Sequence, residues 1–163
     1  MQISDEEILI VVDDQDNVLD YLPRSEVHQR KLLHRTISVV VFTSKKELVI
    51  QIRGFNKDTY PGMYSNAAGG HVTKGQSYEE AAKQEAFEEI GLKESLTFVT
   101  KKILEDPKHR TMTSIFKTTF DGLFKKNPEE VEDIIKAPLS EIKNLINKFY
   151  PATLQVLTEV GVL

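Results

Sequence analysis

The chain of 163 residues contains no cysteine. That absence excludes disulfides, thiolate metal sites and cysteine nucleophiles together. No apolar run approaches the roughly 18 residues of a membrane-spanning helix. The start, Met-Gln-Ile-Ser-Asp-Glu-Glu, is acidic and unlike a signal peptide. A cytoplasmic setting without a membrane partner is expected. An excess of basic residues is lacking too: 21 Lys and Arg stand against 25 Asp and Glu, a net charge of −4. Such a balance gives no overall footprint for a nucleic acid polymer. There are no repeats, low-complexity stretches or Pro/Gly-rich linkers. What is present is ordinary for a globular protein, with 40% hydrophobic and 28% charged residues. The length makes one domain, 1–163, the expectation, with roughly 70% of the unfolded surface buried.

Ile8 to Val12 is a short apolar run, followed by Asp13-Asp14-Gln15-Asp16-Asn17 and Val18-Leu19. This reads as an N-terminal hairpin over 7–22. Pro23 to Lys31 is polar and weakly helical. Thr36 to Thr43 is β-branched and nearly all apolar, the mark of a strand buried on both faces. Glu47 to Arg53 alternates as a second strand. Gly54 to Gly75 is long and irregular, which in a compact domain points to function. Ser77 to Ile90 is the clearest helix, with a Ser77/Glu80 capping box and Gly91 at the C-terminal cap. Its apolar face carries Ala82, Ala86 and Ile90, with Phe87 beside them. Ser95 to Leu104 and Thr111 to Phe120 read as strands. Two C-terminal helices, Pro138 to Lys148 and Pro151 to Val160, are expected within 138–163. The order predicts an α+β fold, a mixed sheet with helices packed on it.

Residues 79 to 89 hold five Glu and one Lys, a local charge of −4. Glu85, Glu88 and Glu89 stand at i, i+3 and i+4, so they share a helix face and repel one another. Two readings are open. One is a solvated acidic face. The other is a hard-cation site, because Mg²⁺ takes oxygen ligands and relieves that repulsion.

The stretch from Gly70 to Leu92 resembles the Nudix box, G-x5-E-x7-R-E-U-x-E-E-x-G-U, with U aliphatic. Gly70, Glu85, Glu88, Glu89, Gly91 and Leu92 match directly, six of nine specified positions. Gln76 and Gln84 replace the Glu and Arg that pair in the family. The double change leaves no unpaired charge, and two amides can hydrogen-bond to each other. The resemblance implies a Nudix-type α/β/α sandwich with a catalytic loop–helix–loop over 70–92. It implies Mg²⁺ or Mn²⁺ and hydrolysis of a diphosphate linkage in a nucleoside diphosphate derivative or similar small molecule. Carried over, Glu85 and Glu89 would be the principal metal ligands. Glu88 would bind a metal or orient a water, and the Gly70 carbonyl could complete the shell. Either a box glutamate or an acid from a later loop could serve as general base. Glu129, Glu130 and Glu132 sit in such a loop, and each also reads as part of a solvated turn. Several members of the family form homodimers.

The likeness extends upstream through His28, Leu33-His34-Arg35, Gln51-Ile-Arg53, Lys57 and Tyr60-Pro-Gly-Met-Tyr64. This looks like the branch that contains isopentenyl-diphosphate isomerase, in which the equivalents of Arg53 and Lys57 contact the substrate diphosphate. A strand-end Arg offers a rigid fork and a Lys a mobile point charge. The isomerase is therefore one alternative, and His34 and His71 resemble its metal-binding histidines. It needs a cysteine where this chain has Gly69, and metal-binding glutamates on a later strand, whereas Pro107 to Phe120 holds no acid. A second alternative is a non-catalytic binding module, in which box glutamates are typically lost. Phe55, Tyr60, Tyr64 and Phe116 are candidates for base stacking or for ordinary packing.

Overall fold

The structure, a computed structural model, describes residues 6–163. The acidic start that is unlike a signal peptide lies mostly outside them. In chain order the elements are β1 (Ile8–Val12), β2 (Val18–Pro23), α1 (Arg24–Gln29), β3 (His34–Phe42), β4 (Glu47–Arg53), β5 (Tyr64–Ser65) and β6 (Ala68–His71). They continue with α2 (Tyr78–Ile90), β7 (Thr97–Glu105), β8 (Arg110–Thr119), β9 (Val131–Pro138), a 3-10 helix (Leu139–Lys148) and α3 (Pro151–Glu159). No helix among the described residues is long and apolar enough to cross a membrane.

The β-branched run falls at the centre of a mixed sheet, because stiff branched side chains pack well on a pleated surface. β3 runs parallel to β8 in unbroken register from His34↔Thr111 to Phe42↔Thr119, while β1–β2, β7–β8 and β4–β9 are antiparallel. Side chains alternate across a strand, so β3 feeds two cores. Ile37, Val39 and Val41 pack with Ala81, Ala82, Ala86 and Ile90 of α2. Val40 packs with Ile142 of the 3-10 helix and with Val156 and Leu157 of α3. The helices thus cover opposite faces of the sheet. β3 and β4 pair at one position only, Phe42↔Leu48. Beyond it β3 takes β6 as partner and β4 takes β5. The two strands part, and the turn carrying Asn66 and Ala67 lies in the split.

The expected helix 77–90 forms with both ends as read. Ser77 Oγ accepts from the Glu80 N–H (3.1 Å), and the Glu80 carboxylate accepts from the Ser77 N–H (3.0 Å). Gly91 closes the helix in the left-handed region, at φ 69°. Four expectations need correction. The stretch 54–75 is not wholly irregular, since β5 and β6 lie inside it as two short strands that fill the split. The segment around Glu129 to Glu132, read as loop or solvated turn, runs directly into β9, a strand that the sequence reading did not place and that takes in Glu132. β9 hydrogen-bonds to β4 alone and leaves several polar side chains exposed, so its apolar alternation is broken. Residues 139–148 form a 3-10 helix, not an α-helix. Only Ile142 of this segment is buried, so little tertiary packing supports a regular helix. Phe87 is exposed on α2 rather than beside the core, under the Lys93 ammonium at 5.3 Å.

Candidate active site

The split opens into a cavity of about 430 Å³. It is reached by Glu85, Glu88 and Glu89 of α2 from one face of the sheet and by Thr153 and Val156 of α3 from the other. Arg53, Lys57 and Gly70 also line it.

The ligating oxygens of Glu85, Glu89 and Glu130 lie within 4.8 Å of one another. Glu89 is buried, at 6% exposure. Its carboxylate accepts from Gln51 Nε2 (2.8 Å) and from the Gly69 N–H (3.4 Å). The face read from spacing as all glutamate is therefore only partly in solvent. Burial pushes Glu85 well above the usual carboxylate range, helped by its hydrogen bond to Glu89 and by the neighbouring acid charges. Burial also raises Glu89, opposed by hydrogen bonds from Glu85 and Gln51. Gly70 supplies the room, since a Cβ there would stand 2.7 Å from Glu85 Cδ. Three buried or half-buried carboxylates with no cationic side chain among them form an all-oxygen donor set. That set suits a hard divalent cation, whose charge would repay their burial and repulsion.

Glu130 is the member that sequence reasoning placed in a later loop, as a candidate general base or as part of a solvated turn, and not among the metal ligands. It arrives because the strand order seats the start of β9 beside the end of β4, where the Gly54 N–H donates to the Glu130 carbonyl (3.1 Å). Its one sequence signal was a further acid in a chain already read as a cation binder. Glu88 does not join the trio. It is exposed on the cavity rim and accepts from Gln84 Nε2 (3.0 Å). The two glutamines meet: Gln76 Nε2 donates to Gln84 Oε1, and Gln76 Oε1 accepts from Thr73 N (3.0 Å) and Thr73 Oγ1 (2.9 Å). A chain of amide hydrogen bonds thus runs from Thr73 to Glu88 at the positions where the resemblance implies an ion pair.

Arg53 and Lys57 share the cavity with the acids. Arg53 Nε and Nη2 donate to the Thr59 carbonyl (3.2 and 2.9 Å), and its guanidinium lies 5.2 Å over the Tyr150 ring. Tyr60, at φ 48°, stacks on Tyr150 with centroids 5.1 Å apart. A non-glycine residue at positive φ beside a cavity is strain held in place by its surroundings. Arg24 braces the same loop through Asp58 (3.2 Å). Of the remaining aromatic candidates, Phe116 is core, Tyr64 packs edge-on to Phe149, and Phe55 is exposed.

All four histidines of the chain converge at another part of the cavity wall. His28, His34 and His71 offer ring nitrogens within 4.8 Å of one another. His28 and His71 meet Nε2 to Nε2 at 3.2 Å, and the His109 ring centroid is 4.8 Å from that of His28. His34 Nδ1 donates to the Leu32 carbonyl (2.8 Å), which leaves its Nε2 facing inward. His71 Nδ1 bonds the Glu7 carboxylate (3.1 Å). Burial depresses His34 to about 3 and His28 to about 4, so both are neutral near pH 7. Neutral imidazoles can ligate a metal. His109 was missed in the sequence. It is carried by the loop entering β8, beside the Thr111 that pairs with His34.

The sequence profile of the NUDIX domain matches residues 32–159. The chain belongs to the Nudix family. Pyrophosphate hydrolysis is the general activity of that family, which places the chain among pyrophosphohydrolases. An uncharacterized Nudix hydrolase of Pseudomonas aeruginosa is 34% identical over 131 residues, 80% of this chain and 78% of the relative. A protein of Photorhabdus laumondii named isopentenyl-diphosphate Delta-isomerase 2 is 32% identical over 150 residues, 87% of this chain and 83% of the relative. The crystal structure of a Deinococcus radiodurans protein superposes with a TM-score of 0.79 at 19% identity, covering 94% of this Nudix chain and 98% of that one.

Proposed function

We propose that the protein is a divalent-metal-dependent hydrolase that cleaves a diphosphate linkage in a nucleoside diphosphate derivative or a similar small molecule. The observation that carries this reading is the Glu85/Glu89/Glu130 trio in the same cavity as Arg53 and Lys57. A bound Mg²⁺ or Mn²⁺ would neutralise diphosphate oxygens and make water more nucleophilic. Glu85 and Glu89 are the assigned metal ligands, with Glu130 as third donor and the Gly70 carbonyl adjacent. Glu88, outside the trio, is left to orient a water or take its proton. Arg53 and Lys57 bind the diphosphate, Arg53 through the part of its guanidinium that its bonds to Thr59 leave free.

The test is a panel of nucleoside diphosphate sugars, dinucleotides, CoA esters and nucleoside triphosphates with Mg²⁺ and Mn²⁺. Turnover on at least one class is expected. Glu89→Gln should lower it by about a hundredfold or more, as expected when a group worth several kcal/mol is removed. No turnover on any class, with ligand binding intact, would make the chain a binding module instead.

The histidine cluster favours one second reading, an isomerase of prenyl diphosphates, supported also by the Photorhabdus relative. Against it, Gly69 stands where that enzyme needs cysteine, and β8 contributes Thr111 and Thr113 to the cavity instead of acids. Isomerisation of isopentenyl diphosphate by the purified protein would establish it.

A further inference from the structure

Side chains from four separate segments form one continuous stack beside the cavity. The Lys108 ammonium stands 5.1 Å from the Tyr60 ring centroid. Tyr60 lies on Tyr150, with centroids 5.1 Å apart and planes 14° from parallel. The Arg53 guanidinium stands 5.2 Å from the Tyr150 centroid. Each ring of the pair thus has a cation over it, which the negative face of an aromatic ring attracts. Tyr60, Tyr150 and Arg53 all line the cavity.

Local structure seats both rings. Pro61 and Gly62 fill the centre of a turn closed from the Met63 N–H to the Tyr60 carbonyl (3.3 Å), with Gly62 at φ 73°. The Gly62 N–H donates to the Arg53 carbonyl (3.1 Å) and the Arg53 N–H to the Met63 carbonyl (2.9 Å), so Arg53 itself closes the base of this loop. Tyr150 precedes Pro151 at the start of α3, and its N–H donates to the Tyr64 carbonyl (3.3 Å). The helix is anchored through buried Val156 and Leu157, which fixes the ring that Arg53 meets.

Arg53 is a side chain that needs holding. It stands two residues after Gln51 on β4, so both leave the same face of the strand. The Gln51 amide reaches Glu89 (2.8 Å). Across the sheet Arg53 pairs with Val131, the residue after Glu130. A free arginine sharing a cavity with three carboxylates would pair with them and compete with a divalent cation. Among the described residues, neither Arg53 nor Lys57 forms an ion pair with any acid. The guanidinium is engaged instead by Thr59 and by the Tyr150 ring.

We propose that Tyr150, backed by Tyr60, is a positioning residue that keeps Arg53 off the Glu85/Glu89/Glu130 trio. The cation-binding and anion-binding halves of the site then stay apart before any ligand arrives. The proposal rests on the reading of the trio as a divalent-cation site and deepens it.

The experiment is calorimetry with Mn²⁺ alone, counting only the binding that Glu89→Gln abolishes, so that the histidine cluster does not enter. Tyr150→Leu should weaken this binding about fivefold, the factor that one part-exposed ion pair is worth. Tyr150→Phe keeps the ring face and should stay within about twofold of the unmutated protein. In an Arg53→Met background Tyr150→Leu should change the affinity by less than about twofold, because the competing cation is gone. Tyr60→Leu leaves the start of α3 untouched and should act in the same direction, again only with Arg53 present. Three results each overturn the proposal: unchanged affinity in both leucine variants, no rescue by Tyr150→Phe, or a loss that persists without Arg53, which is the mark of a purely structural role. Absence of Glu89-dependent Mn²⁺ binding in the unmutated protein overturns the cation-site reading, and the proposal with it.

Discussion

Asp16 shows how one residue ties distant parts of the chain together. Its buried carboxylate accepts from Arg35 Nε (2.8 Å), the Tyr78 hydroxyl (2.9 Å) and Lys101 Nζ (2.7 Å). Burial would raise its pKa, but these three bonds outweigh burial and hold it below the usual range. Asp16→Ala strands Arg35 and Lys101 and should cost about 2–3 kcal/mol. That corresponds to a fall of roughly 5–10 °C in thermal midpoint by scanning calorimetry. The contribution is present above the ordinary carboxylate value and is lost as pH falls through the depressed one. None of this was legible in the sequence, where Asp16 is one of three acids in a turn. Its partners lie 19, 62 and 85 residues away. The placing of Glu85 and Glu89 together was legible because it rests on local helical spacing. Glu130 was not, because it reaches them through strand pairing.

At the scale of elements, the approach of β6 to α2 sets the geometry of the acids. Gly70 is the contact point, and the Glu85 carboxylate occupies the volume that a side chain there would need. Gly70→Ala should push Glu85 out of the trio. Mn²⁺ binding measured by calorimetry should weaken by about tenfold, while the metal-free thermal midpoint moves by less than about 3 °C, because the displaced group is the far end of a flexible side chain. Helix α2 could be read from its own sequence, caps included, because capping is local chemistry. β9 could not, since its pairing with β4 is set some 80 residues away along the chain. The amide relay from Thr73 to Glu88 was partly legible: two neutral substitutions at paired positions invite a direct bond, and the bond is there.

Across the whole molecule, the four histidines gather from α1, β3, β6 and the loop before β8, so their cluster exists only in the folded chain. The native His34 and His28 have pKa values near 3 and 4, against an ordinary 6.5 in the unfolded chain. Between pH 6.5 and 4 the unfolded chain therefore binds more protons, and acidification favours it. In the presence of chelator, the raised Glu85 and Glu89 act with the opposite sign, so the histidine contribution is read as a difference: between pH 6.5 and 4 the urea midpoint should fall less in His28→Asn than in the unmutated protein. An equal change in the two proteins across that window would mean that His28 titrates normally. The split between β3 and β4 has a consequence of its own. Hydrophobic burial on either face of the sheet is separate, one core gathered under α2 and the other under α3, and the cavity runs between them. A small molecule seated there touches both layers at once, so its binding energy is shared by two halves otherwise joined mainly through strands. Occupancy should then raise the stability of both layers together.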